Sequence, residues 1–272
     1  MKSKYAIIGI ATGVALLLTG PGLYAQSQNG IGQVNKVNEV YGNQVVSSDN
    51  QKIGNLNNLM VDLESGRILY GIVATPQGRV AVAPQVFTQT VPSNKEIHVN
   101  VTAAKIEGAP KYTAAIDKPG QWQQASFVDS VYSYFGQSPW WQGSTPANQG
   151  TFHNVHKASV LLGMPVINVQ NAPLGKVNNL AVDLPAGRLV YVLLQPDSSL
   201  NLGNNLYVLP PQAFTWNTSH DRLESGITAQ QLAAGPHFPS NQWPNLSDTT
   251  LASQAYQHYG KQPYFQATPT GR

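Results

Sequence analysis

Residues 53–70 read IGNLNNLMVDLESGRILY, and residues 174–191 read LGKVNNLAVDLPAGRLVY. The two stretches align without gaps and share ten of eighteen residues. Identity of this extent at a fixed offset indicates an internal duplication. The sequence therefore predicts one small structural unit that is present twice.

Each copy of this stretch has the pattern of a β-hairpin. Leu59, Val61 and Leu63 occupy alternate positions, and residues 68–73 form an apolar run after the turn. Alternation predicts a strand with one buried face, and a continuous apolar run predicts a strand that is buried on both faces. We expect short strands also at residues 80–83 and 206–209.

The turn between the two strands has the form Asp-x-x-x-Gly-Arg in both copies. Glycine supplies a positive φ at such a turn, and the aspartate can accept backbone N–H groups across it. Each Asp and Arg lie across the hairpin from one another, so we interpret them as structural turn residues rather than as catalytic groups. These residues are Asp62, Gly66 and Arg67 in the first copy, and Asp183, Gly187 and Arg188 in the second.

The similarity extends outward in both directions. Upstream, Lys36, Gly42 and Val45 align with Lys157, Gly163 and Val166 in the same register. Downstream, Gln85 and Phe87 match Gln212 and Phe214 after a six-residue insertion. The predicted units are residues 35–142 and 156–266, with a polar segment at 26–34, a linker at 143–155 and a tail at 267–272. Several short strands in each unit favour a small closed or nearly closed barrel.

A short helix is expected at the end of each unit. In the second copy Ser247 can cap the helix and Gly260 can end it, and the apolar face comprises Leu251, Ala255 and Tyr259. In the first copy the equivalent stripe is Phe127, Val131 and Phe135, with Gly136 as terminator. We interpret both stripes as core packing.

These residues resemble the PRC-barrel family. The second copy carries the resemblance most clearly in Leu162-Gly163-Met164-Pro165-Val166, Leu174-Gly175-Lys176-Val177, residues 180–184, and Gly187-Arg188 with the strand that follows. The resemblance implies a mainly β fold of two small PRC-barrel-like β-barrels, each followed by a short C-terminal α-helix. It also implies a protein-interaction module rather than an enzyme.

The N-terminus has the pattern of a secretory signal peptide. Lys2 and Lys4 precede an apolar stretch at residues 5–18, and Ala25 is a plausible cleavage position. An uncleaved anchor is the alternative, but about fourteen apolar residues are fewer than the roughly 20 that span a bilayer. We expect a signal peptide at 1–25, no stable membrane span after cleavage, and a periplasmic or secreted protein.

Composition excludes several functions. The chain has no cysteine, which excludes disulfides and thiolate chemistry. Only 11% of residues are charged, and the sequence has no basic clusters that indicate nucleic-acid binding. We expect no cofactor and no metal, because the histidines do not recur at equivalent positions. The chain contains no Gly-x-Ser-x-Gly, His-Glu-x-x-His or phosphate-binding loop motif, so we expect no catalytic residues.

The best candidates for binding are two aromatic pairs, each of which follows a proline. They are Trp140 with Trp141, and Tyr264 with Phe265. Adjacent side chains diverge, so one ring of each pair can stay at the surface, although rings that pack between the copies are the alternative. The partner would be an unidentified envelope protein, or alternatively an envelope polysaccharide that stacks on the rings. An envelope hydrolase is a third hypothesis, and it requires a pocket that brings a serine or an acid close to a histidine.

Overall fold

The computed structural model describes residues 30–91, 93–118, 121, 124–140, 152, 154–217 and 221–265. The predicted signal peptide, the predicted tail and most of the predicted linker lie outside these residues. Short 3-10 helices cover Pro84–Val86, Ser198–Leu200 and Pro211–Ala213. The strands are β1 Val34–Lys36, β2 Gln44–Val46, β3 Lys52–Asp62, β4 Arg67–Thr75, β5 Gly78–Val82, β6 Phe87–Val91, β7 Glu96–Val99, β8 Val155–Lys157, β9 Pro165–Asn168, β10 Pro173–Asp183, β11 Arg188–Pro196, β12 Asn205–Leu209, β13 Phe214–Trp216, β14 Leu223–Ser225 and β15 His237–Pro239. The helices are α1 Val37–Val40, α2 Ala103–Glu107, α3 Ala125–Tyr134, α4 Ala158–Leu161, α5 Ala229–Ala233 and α6 Thr249–His258.

The repeated stretch forms the hairpins β3–β4 and β10–β11, as the alternation predicts. Both hairpins have register shifts at equivalent places, the first between Leu56 and Asn58 and between Val177 and Asn179. The shift lies at the repeated Asn-Asn pair, where the second asparagine bonds to the backbone of the next residue. The duplication is therefore preserved down to the irregularities of the strands.

The fold is mainly β, as predicted, but the described strands join in one sheet. Its main path runs β13-β14-β9-β10-β11-β4-β3-β2-β7-β6, so the two copies meet where β11 pairs with β4. The path does not close on itself through backbone pairing. The expected closure of each unit into a small barrel is therefore not seen in the backbone pairing of the described strands.

The first strand of each copy pairs with the hairpin of the other copy. Strand β1 lies antiparallel to β10 of the second copy, with Val34 opposite Asp183. Strand β8 lies antiparallel to β3 of the first copy, with Val155 opposite Asp62. The two copies therefore exchange their first strands reciprocally and are related by an approximate two-fold axis.

The amide side chains that precede the exchanged strands reach the two ends of the sheet. Gln33 accepts a hydrogen bond at 3.1 Å from the backbone N–H of Thr90 in β6. Asn154 donates one at 3.3 Å to the backbone carbonyl of Phe214 in β13. Gln33 and Asn154 are equivalent positions of the repeat, so an amide from the same position bonds to the backbone at each sheet end, as an acceptor at one end and as a donor at the other.

One apolar cluster runs through both copies and includes Leu56, Leu59, Leu180 and Leu189. A second cluster lies under α6 and contains Val190, Ala252 and Tyr256. Because the larger core is shared, the two copies form one hydrophobic body.

The terminal helices α3 and α6 lie where the sequence predicts them, but their details differ. Asp248, not Ser247, caps α6 and accepts a hydrogen bond from Thr250 N. The Ser247 hydroxyl instead accepts from the backbone N–H of Val34 in the exchanged strand. No helix in the described part of the chain is long and apolar enough to cross a membrane.

Candidate binding site at the junction of the repeats

The junction of the two copies is the place where their hairpin turns meet. Arg67 lies directly opposite Arg188 in the pairing of β4 with β11. The N–H of Ile68 donates to the carbonyl of Gly187 at 2.9 Å, and the N–H of Leu189 donates to that of Gly66 at 3.1 Å. The repeated Gly-Arg dipeptides therefore pair with each other across the approximate two-fold axis.

Each arginine at the junction stacks on an aromatic ring of its own copy. The Cζ of Arg67 lies 4.5 Å from the centre of the Trp140 ring, and the Cζ of Arg188 lies 4.2 Å from that of Tyr264. Trp140 and Tyr264 are the first members of the two aromatic pairs, and both are half-buried. Each guanidinium group is therefore in cation–π contact with one ring.

The charges of the two arginines act on each other. Burial lowers the pKa of Arg67 to about 10, and the positive charge of Arg188 contributes to the shift. Burial likewise lowers the pKa of Arg188, while Tyr264, Tyr256 and Asp183 oppose that effect. Both guanidinium groups remain protonated at neutral pH, so the junction holds two facing positive charges.

Neither arginine forms an ion pair or donates a hydrogen bond among the described residues. Asp62 lies across the hairpin from Arg67, but its carboxylate accepts from the backbone N–H groups of Glu64 and Ser65. Asp183 accepts from Ala186 N and, at 2.7 Å, from Gly32 N. The turn aspartates therefore bond to backbone rather than pair with the arginines.

Burial raises the pKa of both turn aspartates. For Asp62 the hydrogen bonds from Ser65 and Glu64 oppose this rise, and the negative charge of Glu64 adds to it. For Asp183 the opposing contributions come from the N–H groups of Ala186 and Gly32 and from the charge of Arg188. The two turns are equivalent in sequence but differ in their electrostatic surroundings.

In the second copy, the second ring of the aromatic pair does not share the position of the first. Phe265 is buried, at 6% exposure, and packs edge-on against Tyr256 with 5.6 Å between ring centres. The Tyr256 hydroxyl donates to the carbonyl of Val190 at 3.1 Å, which ties α6 to β11. Trp141 lies outside the described residues. In the second copy, therefore, one ring faces the arginine and the other is part of the core.

Other polar groups surround the arginines. Burial raises the pKa of Tyr132, and the charges of Arg67 and Arg188 both oppose this rise. The side-chain oxygens of Gln85 and Gln212 are buried without a hydrogen-bond partner among the described residues. These glutamines align in the repeat, but nothing in their sequence pattern connects them with the turns.

The four described histidines are distributed over different parts of the fold, and two of them, His237 and His258, line one groove beside α6. His156 in β8 stacks on Trp216 with 3.8 Å between ring centres, and His98 lies on β7. His153 and His220 lie outside the described residues. Within the part of the chain that the structure describes, no group of three or more His, Cys, Asp and Glu residues could hold a metal ion.

His237 and His258 line a groove of about 510 Å³ beside α6. The remaining lining residues include Gln254 and Gln257 but no serine and no carboxylate. His258 donates to the carbonyl of Gln231 at 2.8 Å, and His237 bonds to that of Gly235 at 2.9 Å. This groove therefore does not have the combination that a serine or acid hydrolase requires.

The fold and the junction define a β protein built from two interlocked repeats. The PRC-barrel domain family model matches residues 33–106 and 153–217, which together are more than half of the chain. The chain belongs to the PRC-barrel domain family, and the resemblance inferred from the repeated hairpin is confirmed. A search of curated proteins finds no match.

Proposed function

We propose that this chain is a non-enzymatic PRC-barrel protein that is exported to the cell envelope and acts there as a scaffold for a protein partner. The observation that supports this most is the reciprocal exchange of β1 and β8, because it joins two binding modules into one body with a shared core. Two related surfaces held at a fixed spacing suit a partner that must be oriented as well as bound.

Export is proposed from the N-terminal sequence alone. We expect the mature protein to begin at Gln26, after cleavage behind Ala25. Mass spectrometry of the N-terminus after cell fractionation measures this directly. Recovery of the intact chain from the cytoplasm would contradict the proposed location.

The scaffold role is tested by chemical cross-linking in whole cells before lysis, followed by purification through a C-terminal tag on the full chain. We expect one stoichiometric partner that is absent when an unrelated exported protein carries the same tag. An envelope preparation that yields only background proteins would count against the scaffold role.

The alternative is an envelope protein that binds polysaccharide through its aromatic rings. Trp140 and Tyr264 support it, because each keeps a partly exposed ring at the junction. Phe265 does not, because its ring is buried. In this case the W140A/Y264A variant would lose retention on an envelope polysaccharide column, whereas W243A, which alters a half-buried ring elsewhere, would retain it.

A further inference from the structure

The pairing of β4 with β11 places two cationic side chains on one face of the sheet. Residues directly opposite in an antiparallel pair point to the same side, with Cβ atoms about 4.5–5.5 Å apart. Arg67 and Arg188 are such a pair. Two like charges in this position repel each other, so the arrangement is unfavourable unless something negative lies between them.

The aromatic rings determine which part of each guanidinium group can bind. The Cζ of Arg67 lies over the Trp140 ring and that of Arg188 lies over the Tyr264 ring, at 4.5 and 4.2 Å from the ring centres. The N–H donors of a guanidinium group lie in its plane, so a ring on its face leaves these donors available at the edge. Among the described residues, neither arginine uses these donors in a hydrogen bond.

We propose that Arg67 and Arg188 together form a binding site for a carboxylate group on the approximate two-fold axis of the chain. A carboxylate has two equivalent oxygens, and each oxygen accepts from one arginine, so its own two-fold symmetry matches that of the junction.

Neither aspartate of the two turns occupies this role. Asp183 acts electrostatically on Arg188, but its carboxylate is engaged by the N–H groups of Gly32 and Ala186. Asp62 is engaged in the same way by its own turn. The site therefore takes its carboxylate from another molecule, and this inference does not depend on the scaffold role.

The test is a titration of the purified full-length protein with sodium acetate, in which chloride is replaced at constant ionic strength and the arginine Nε–H resonances are followed by NMR. We expect saturable shifts of the Arg67 and Arg188 resonances. R67Q and R188Q should each weaken acetate binding at least tenfold, whereas R222Q, which alters an exposed arginine paired with Asp221, should not. If R67Q does not fold, R67K answers the same question because it keeps the charge but loses the planar donor edge.

Two further titrations identify the source of the carboxylate. N-acetylglycine represents the C-terminus of a peptide, and glucuronate represents an acidic sugar; saturable binding of either at the same two resonances supports the site. Shifts that are linear in acetate, equal shifts with chloride, or saturation by phosphate at a lower concentration than by acetate would each overturn the assignment.

Discussion

Arg67 and Arg188 owe their positions to the glycines that precede them. Gly66 and Gly187 both have φ of 62°, a left-handed conformation that ends one strand and directs the next toward the other copy. A Cβ added at Gly187 would lie 3.0 Å from the Cβ of Pro84, whereas one added at Gly136, with φ of 66°, would meet nothing within 4 Å. Gly187 and Gly136 therefore both need a residue that tolerates positive φ, but only Gly187 lacks room for a side chain.

This difference gives a prediction for Gly187→Ala with Gly136→Ala as the matched control. Alanine in the left-handed region costs about 1 kcal/mol of the free energy of unfolding, so G136A should lose about that amount. G187A should lose about 2 kcal/mol, because the proline ring cannot rotate away from the added methyl group. Urea denaturation measures both values. Equal losses would show that the contact at the junction relaxes at no cost.

The pKa of Asp62 leads to a prediction of pH dependence. Burial raises this pKa in the folded state above the usual value of about 3.9, so over the window above that value the folded protein binds more protons than the unfolded chain. The contribution of Asp62 to stability is therefore present at low pH and declines as pH rises through the folded pKa. We expect that the free energy of unfolding of the wild type falls relative to that of D62N as the pH rises from 3.5 to 6.5. Denaturation of both proteins over this range measures the difference.

Asp221 supplies the control for this measurement. Hydrogen bonds from Arg222 and Asn217 lower its pKa, so its contribution is lost as pH falls rather than as pH rises. The difference between the wild type and D221N should accordingly have the opposite slope. A wild-type advantage over D62N that grows with pH would contradict the assignment of a raised pKa to Asp62.

At the scale of elements, the exchanged strands are fastened by their lysines. Lys157 in β8 forms an ion pair with Asp117 of the first copy, and the same carboxylate accepts from Tyr112 at 2.9 Å and from Arg79 at 3.3 Å. Lys36 in β1 lies 4.2 Å from the centre of the Trp243 ring in the second copy. The aligned lysines thus hold equivalent strands in place by different chemistry.

We expect Asp117 to contribute to stability, because three groups converge on its carboxylate, which is only partly exposed. D117N should lower the free energy of unfolding by about 1–2 kcal/mol, which exceeds the effect of an isolated surface ion pair. It should also raise the hydrogen exchange of the β8 amides relative to those of β9. D221N, which removes an exposed ion pair within one loop, should lower the free energy of unfolding at neutral pH by less than D117N does and should leave the exchange of the β8 amides unchanged. Unchanged β8 protection in D117N would show that Asp117 does not fasten the strand.

The cap of α6 illustrates why the sequence predicts an element better than its contacts. Ser247 and Asp248 are both good capping residues and are adjacent, so local preference does not choose between them. The exchanged strand determines the outcome. The Ser247 hydroxyl accepts a hydrogen bond from Val34 N in that strand, and Asp248 caps the helix instead. That choice depends on a contact between residues 213 positions apart in the chain.

At the scale of the whole molecule, the exchange of strands cannot be predicted from the sequence because the two copies are so similar. The periodicity of residues 53–70 and 174–191 predicts both hairpins, and the repeated Gly-Arg marks the turns. The two hairpins are so alike, however, that β1 matches β10 as well as it matches β3, and no local pattern tells the two pairings apart. The sequence singles out Trp140 and Tyr264 as binding candidates and Arg67 and Arg188 as turn residues. Their meeting at one place could not be predicted, because it follows from the pairing of the two assembled copies.

Reciprocal exchange predicts that the two copies stay together when the chain between them is cut. A protease site placed between residues 144 and 149 should allow cleavage into two fragments that still elute together at the size of the intact protein. Each fragment holds a strand of the other's hairpin and part of one shared core, so separation would expose both. After cleavage the urea midpoint should also rise with protein concentration, because unfolding becomes a dissociation. Fragments that separate and remain folded as monomers would show that each copy completes its own barrel, and the strand pairing described above would then be wrong.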